Sequence, residues 1–99
     1  MTKVLIAEDE ANIAELLQFL MERAGHEKRW VADGQAALEA ARIWRPGVLV
    51  LDVMLPTLSG YEVLKAVRAD AVLATLPVLM LTAKGQKKDR KLAQNLGAN

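Results

Sequence analysis

The sequence predicts an α/β domain built on a parallel sheet, and three observations carry that prediction. Strand-like and helix-like stretches alternate strictly through four β-α pairs, which implies parallel strands joined by right-handed crossovers. The run Val48-Leu49-Val50-Leu51 is continuously apolar, the pattern of a strand buried on both faces. That run and the similar run Val4-Leu5-Ile6-Ala7 both end in carboxylates, Asp52 in one and Glu8-Asp9-Glu10 in the other. Ligands of open α/β sheets bind at the carboxyl ends of the strands.

The elements follow in order. Lys3 to Ala7 reads as the first strand. Ile13, Leu16, Leu17, Leu20 and Ala24 lie on one stripe at helical spacing, and Gly25 suits the left-handed position that closes the helix. Glu27 to Ala32 is a weaker, partly polar strand suited to a sheet edge, and Asp33-Gly34 reads as a turn. Gln35 to Arg45 is an alanine-rich helix stopped by Pro46-Gly47. Val48 to Asp52 is the central strand. The stretch from Val53 to Gly60, with Pro56 and Gly60, reads as a loop. Tyr61 to Ala69 is a helix that buries Val63, Leu64 and Val67. Pro77 introduces the apolar strand Val78 to Leu81, ending at Thr82, and Gln86 to Leu96 is a charged helix closed by Gly97.

Composition narrows the function. The chain has 99 residues, enough for one domain, and 53% are hydrophobic, which argues against disorder. A formal net charge of +1 provides no field for nucleic acid or an anionic membrane. There is no cysteine, so no disulfide framework and no thiolate metal site. The short apolar run before Glu8 does not make a signal peptide, and no run approaches transmembrane length. The expectation is a cytoplasmic domain without nucleic-acid or membrane partners.

The strand ends supply the chemistry. Carboxylates crowded at one sheet edge raise one another's pKa unless a cation lies among them. Magnesium prefers oxygen ligands, takes one or two carboxylates and accepts phosphate oxygens, so Asp9 and Asp52 suit it. A carboxylate is also a nucleophile towards a phosphoryl group. Thr82 is placed to donate a hydrogen bond to such a group. The cluster Lys84, Lys87, Lys88, Arg90 and Lys91 reads as a solvated face, and His26 as an exposed turn residue. Trp30 and Trp44 read as packing or semi-exposed residues, and Glu10 as an acid favouring the first helix dipole.

The pieces Val4 to Glu10, Ala32-Asp33-Gly34, Leu51-Asp52-Val53-Met54-Leu55-Pro56 with Ser59-Gly60, Pro77 to Lys84 and Leu96-Gly97-Ala98 occur in an order and spacing that is specific as a set. Through them the sequence resembles the receiver domain of two-component response regulators. The resemblance implies a flavodoxin-like, doubly wound parallel sheet with Asp52 as phosphoryl acceptor. It implies Asp9 as direct ligand of Mg2+ (or Mn2+), Glu8 as a ligand through water and the backbone carbonyl of Met54 as a further ligand. It implies Thr82 as the hydroxyl that contacts the phosphoryl group and relays its presence. The implied partner is a sensor histidine kinase or phosphotransfer protein. The implied role is that of a self-phosphorylating acceptor rather than a turnover enzyme. A flavin-binding protein of the same topology fits poorly, because Glu8-Asp9-Glu10 repels an anion.

Receiver domains continue past the Gly-Ala pair with a fifth strand, a lysine-proline pair and a fifth helix, whereas this sequence stops at Asn99. Lys84 is not that lysine, because it lies two residues after Thr82. The expectation is therefore a truncated receiver over residues 1–99, with strand order 2-1-3-4 and impaired phosphotransfer. The alternative is a fragment acting only as a structural or self-association module. The fourth-strand edge and the first-helix face are the surfaces expected to form a homo-oligomer.

Overall fold

The computed structural model describes residues 2–81, and these form four parallel strands with three helices between them. In chain order the elements are β1 (Lys3–Ala7), α1 (Ala11–Arg23), β2 (Glu27–Val31), α2 (Gly34–Trp44), β3 (Val48–Asp52), α3 (Gly60–Ala69) and β4 (Val78–Leu81). The sheet order is β2-β1-β3-β4, so the predicted order 2-1-3-4 is what the chain adopts. The expected helix Gln86 to Leu96 lies outside the described residues.

Strand alternation divides the interior in two. Leu5, Ala7, Leu49, Leu51 and Val78 face α2 and α3, where they meet Ala37, Leu38, Ala41, Val63, Leu64 and Val67. Val4, Ile6 and Val50 face the other way, towards Leu17 and Met21 of α1. The two central strands therefore read as unbroken apolar runs because both their faces are covered. β2 shows the opposite pattern. It is an edge strand among the described residues, and its side chains are half-buried or exposed.

The α1 stripe is only partly inside. Ala14 is buried and Leu17 and Met21 pack on the sheet, whereas Ile13, Leu16, Phe19 and Leu20 are exposed, Leu16 by 57%. Gly25 takes φ +81° after the helix, with the His26 N–H donating to the Met21 carbonyl, as its position in the sequence predicts. His26 is half-buried rather than exposed, and its Nδ1 accepts from the Thr2 N–H at 3.3 Å.

Two helix starts differ from the sequence reading by one residue, for the same reason. Asp33 is the N-cap of α2, not part of a free turn, and its carboxylate accepts from the Ala36 N–H at 2.8 Å. Ser59 caps α3 in a reciprocal box with Glu62, so that helix begins at Gly60. α2 ends at Trp44, and Arg45 takes the left-handed conformation (φ 51°) ahead of Pro46, which disfavours a continuing helix.

The segment between α3 and β4 is also structured. Asp70 accepts from the Val72 and Leu73 N–H groups, and Arg68 donates to the carbonyls of Ala74 and Leu76. The Val72 N–H and then the Arg42 guanidinium hold the Asp70 carboxyl below the usual carboxylate range. This turn buries Leu73 and Leu76 under the sheet.

Candidate functional site

β1 and β3 are hydrogen-bonded neighbours in register, Ala7 opposite Leu51. The next residues, Glu8 and Asp52, therefore lie side by side at the carboxyl edge of the sheet. Glu8 is 3% exposed and Asp52 is 9% exposed, while Asp9 is open to solvent. Each of the three offers a carboxylate oxygen, and these oxygens all lie within 4.8 Å of one another. They line a cleft of about 370 Å³ together with Glu10, Ile13, Leu17, Met54 and Leu81.

The local backbone explains the placement. Asp52 pairs with Leu81 of β4, and the Val53 N–H continues the ladder to the Leu81 carbonyl at 3.3 Å. Gly60 then returns the chain under the strand end, donating its N–H to the Val53 carbonyl at 2.8 Å. A β-carbon at Gly60 would collide with the carbonyl oxygen of Asp52, so only glycine lets α3 start this close to the central carboxylate. On the other side, the Glu8 N–H donates to the Val31 carbonyl at 3.1 Å and the Glu8 side chain accepts from the Glu10 N–H at 3.2 Å.

Electrostatics follow from this crowding. Burial pushes the Glu8 carboxyl up from 4.5 to about 7. The Glu10 N–H opposes that shift, while the charge of Asp52, a hydrogen bond with Asp52 and the charge of Asp9 add to it. Three carboxylates in one cleft, two of them largely buried, form an all-oxygen donor set for a hard divalent cation.

The structure brings together Glu8, Asp9 and Asp52, and it sets Met54 on the rim of the same cleft. Thr82 lies outside the described residues. Glu10 is the N-cap of α1, the place expected of an acid that favours the helix dipole, but its carboxylate makes no cap hydrogen bond and its N–H is given to the Glu8 side chain. Two contacts at the site escaped the sequence reading. The Trp30 indole N–H donates to the Glu8 carbonyl at 2.7 Å, and Gly60 backs Asp52. The Ser59-Gly60-Tyr61-Glu62 spacing signals the second, whereas nothing local in the sequence signals the first.

Comparison with known proteins agrees with this geometry. The model of the response regulator receiver domain matches residues 4–99. The alkaline phosphatase synthesis transcriptional regulatory protein PhoP of Bacillus subtilis is 43% identical over 97 residues, which cover 98% of this chain and 40% of that protein. The chain thus spans about two fifths of the length of this curated relative. The crystal structure of a response regulator from Chloroflexus aurantiacus superposes with a TM-score of 0.95 at 38% identity, covering 99% of this chain and 80% of that one. A receiver domain of a Pseudomonas aeruginosa sensor histidine kinase, determined with a magnesium ion coordinated in its active-site cleft, superposes with a TM-score of 0.90 at 28% identity, over 99% of this chain and 80% of that one. Among the described residues, no helix is long and apolar enough to cross a membrane. With the sheet order, the acidic cleft and these matches together, the chain belongs to the response regulator receiver domain family, the phosphoacceptors of two-component signalling.

Proposed function

We propose that Asp52 accepts a phosphoryl group from a phosphohistidine on a sensor histidine kinase or phosphotransfer protein. The observation that carries this reading is the convergence of Glu8, Asp9 and Asp52 oxygens within 4.8 Å at the carboxyl edge of the sheet. An Asp52 oxygen forms the bond to phosphorus as the bond from phosphorus to the donor's imidazole nitrogen breaks, and the electron pair leaves with the imidazole. Asp9 and Asp52 would hold Mg2+ (or Mn2+) directly, with the Met54 backbone carbonyl as a further ligand and Glu8 acting through water. The bound cation supplies positive charge against the oxygens of the transferring group. Thr82 would donate its hydroxyl to one of those oxygens. In this reading the domain is a self-phosphorylating acceptor, not a turnover enzyme, and it works in the cytoplasm, where ATP-derived phosphohistidine is made.

The test is incubation of the chain with Mg2+ and a small phosphodonor such as acetyl phosphate, followed by intact-mass spectrometry. A gain of one phosphoryl group is expected in the unaltered chain and none in Asp52→Asn. Modification that persists in that variant rejects Asp52 as the acceptor.

A second reading, a structural or self-association module, is favoured by the exposed apolar face of α1. It predicts that association is indifferent to Asp52→Asn.

A further inference from the structure

We propose that Trp30 is a positioning residue for the acidic site, acting through the backbone of Glu8; the inference rests on the metal-site reading above. β2 ends at Val31, and the chain then leaves the sheet so that Asp33 can cap α2. The chain runs on past Ala7, the last residue of β1, into Glu8. Its N–H still finds the Val31 carbonyl, but β2 provides no further strand backbone alongside it. The Glu8 carbonyl is taken instead by a side chain, the Trp30 indole N–H, at 2.7 Å. Trp30 lies across from Ile6 in the parallel register, so its ring reaches forward along the edge to the strand end.

This contact fixes a particular peptide plane. An indole nitrogen is a donor only, so the bond sets one direction for the carbonyl it meets. The Glu8 carbonyl belongs to the peptide that joins Glu8 to Asp9. With the Glu8 N–H held by Val31 and its C=O held by Trp30, the two peptides that flank the Glu8 Cα are both fixed, the second of them the Glu8–Asp9 peptide. The buried Glu8 and the exposed Asp9 diverge from the clamped segment, and both contribute an oxygen to the trio with Asp52. Rotation of this one peptide would swing the Asp9 carboxylate relative to Asp52. Partners that orient ligating residues in this manner typically change metal affinity when removed. Trp30 is 40% exposed on an edge strand, so its replacement by another aromatic leaves the interior intact.

The test titrates the 99-residue chain with Mg2+ and follows ¹H–¹⁵N resonances. Trp44 is the internal control, because its ring lies against Lys3 and Arg29, near the start of β1 and away from the acidic cleft. In the unaltered chain the Trp30 indole resonance is expected to shift with the same dissociation constant as the Asp9 amide, while the Trp44 indole stays in place. In Trp30→Phe, which keeps an aromatic ring but no donor, the Mg2+ dissociation constant is expected to rise about tenfold. Trp44→Phe is expected to bind as the unaltered chain does. A purely structural role for Trp30 would lower the unfolding temperature without moving the Mg2+ affinity. Equal affinity in Trp30→Phe, or a Trp30 indole resonance blind to Mg2+, overturns the inference alone. Absence of Mg2+ binding by the unaltered chain overturns the metal-site reading and the inference together.

Discussion

At the residue scale, Glu8 is the most consequential side chain after Asp52. It is a buried acid whose carboxyl is raised to about 7. A raised carboxyl pKa means that the fold favours the protonated form. The contribution to stability is therefore fully present below pH 4.5, where folded and unfolded chains both hold the proton, and is lost as pH rises through 7. In the presence of a chelator, the chain is expected to be less stable at pH 8 than at pH 5 by on the order of 1–3 kcal/mol, read from denaturant unfolding. Glu8→Gln should flatten most of that dependence, and saturating Mg2+ should flatten it in the unaltered chain by offsetting the carboxylate charges. An apo stability that rises across this interval would contradict the placement of Glu8. Nothing in the letters Glu8-Asp9-Glu10 ranks the three acids by burial. The ranking comes from Glu8 following directly on β1 with its N–H still given to Val31 and its side chain turned inward beside Asp52.

At the element scale, the loop after β3 is tied to the start of α2 rather than left free. Thr57 takes φ 65°, an uncommon conformation for a β-branched residue. Its hydroxyl accepts from the Gln35 N–H at 3.0 Å and donates to Asp33 at 3.1 Å, while the Gly34 N–H donates to the Pro56 carbonyl. Leu58 lies so close to Gly34 that a β-carbon there would collide with it. The hydrogen bonds offset the backbone strain, and this sets a test by comparison. Thr57→Val keeps the strain and loses both bonds, with an expected cost of about 1–2 kcal/mol. Thr57→Gly loses the bonds but relieves the strain, so it should cost less in the same unfolding assay. If glycine proves the worse of the two, the strain is not what the hydroxyl supports. The elements themselves were largely legible, because apolar runs and helical stripes carry their own periods. Their ends were less so. Asp33 reads equally well as a turn or a cap, and only its neighbour Ala36 in a formed helix decides between them. The turn that buries Leu73 and Leu76 was missed, because a short segment organised by Asp70 and Arg68 has no period to detect.

At the scale of the whole molecule, the sheet is covered unevenly. α2 and α3 seal one face over a continuous core, whereas among the described residues α1 alone lies on the other and leaves Ile13, Leu16, Phe19 and Leu20 towards solvent. Among the described residues β4 has a strand neighbour on one side only. A contiguous apolar stripe of this kind drives association. Sedimentation velocity of the 99-residue chain is therefore expected to show a mean mass that grows with concentration, and Leu16→Glu should suppress the growth. A species that stays monomeric across the concentration range would remove the self-association reading and leave the phosphoacceptor reading untouched.

The sequence by itself determined the α/β class, the four strands and the presence of Asp9 and Asp52 at strand ends, since burial on both faces and helical amphipathicity are written in local spacing. The receiver motifs, read as a set, added the strand order and the roles of those carboxylates. Only the tertiary structure decided which carboxylates are buried, that Gly60 must back Asp52, and that an edge-strand indole holds the Glu8 carbonyl. Those facts depend on contacts between residues 8 to 44 positions apart in the chain, which no window of local sequence contains.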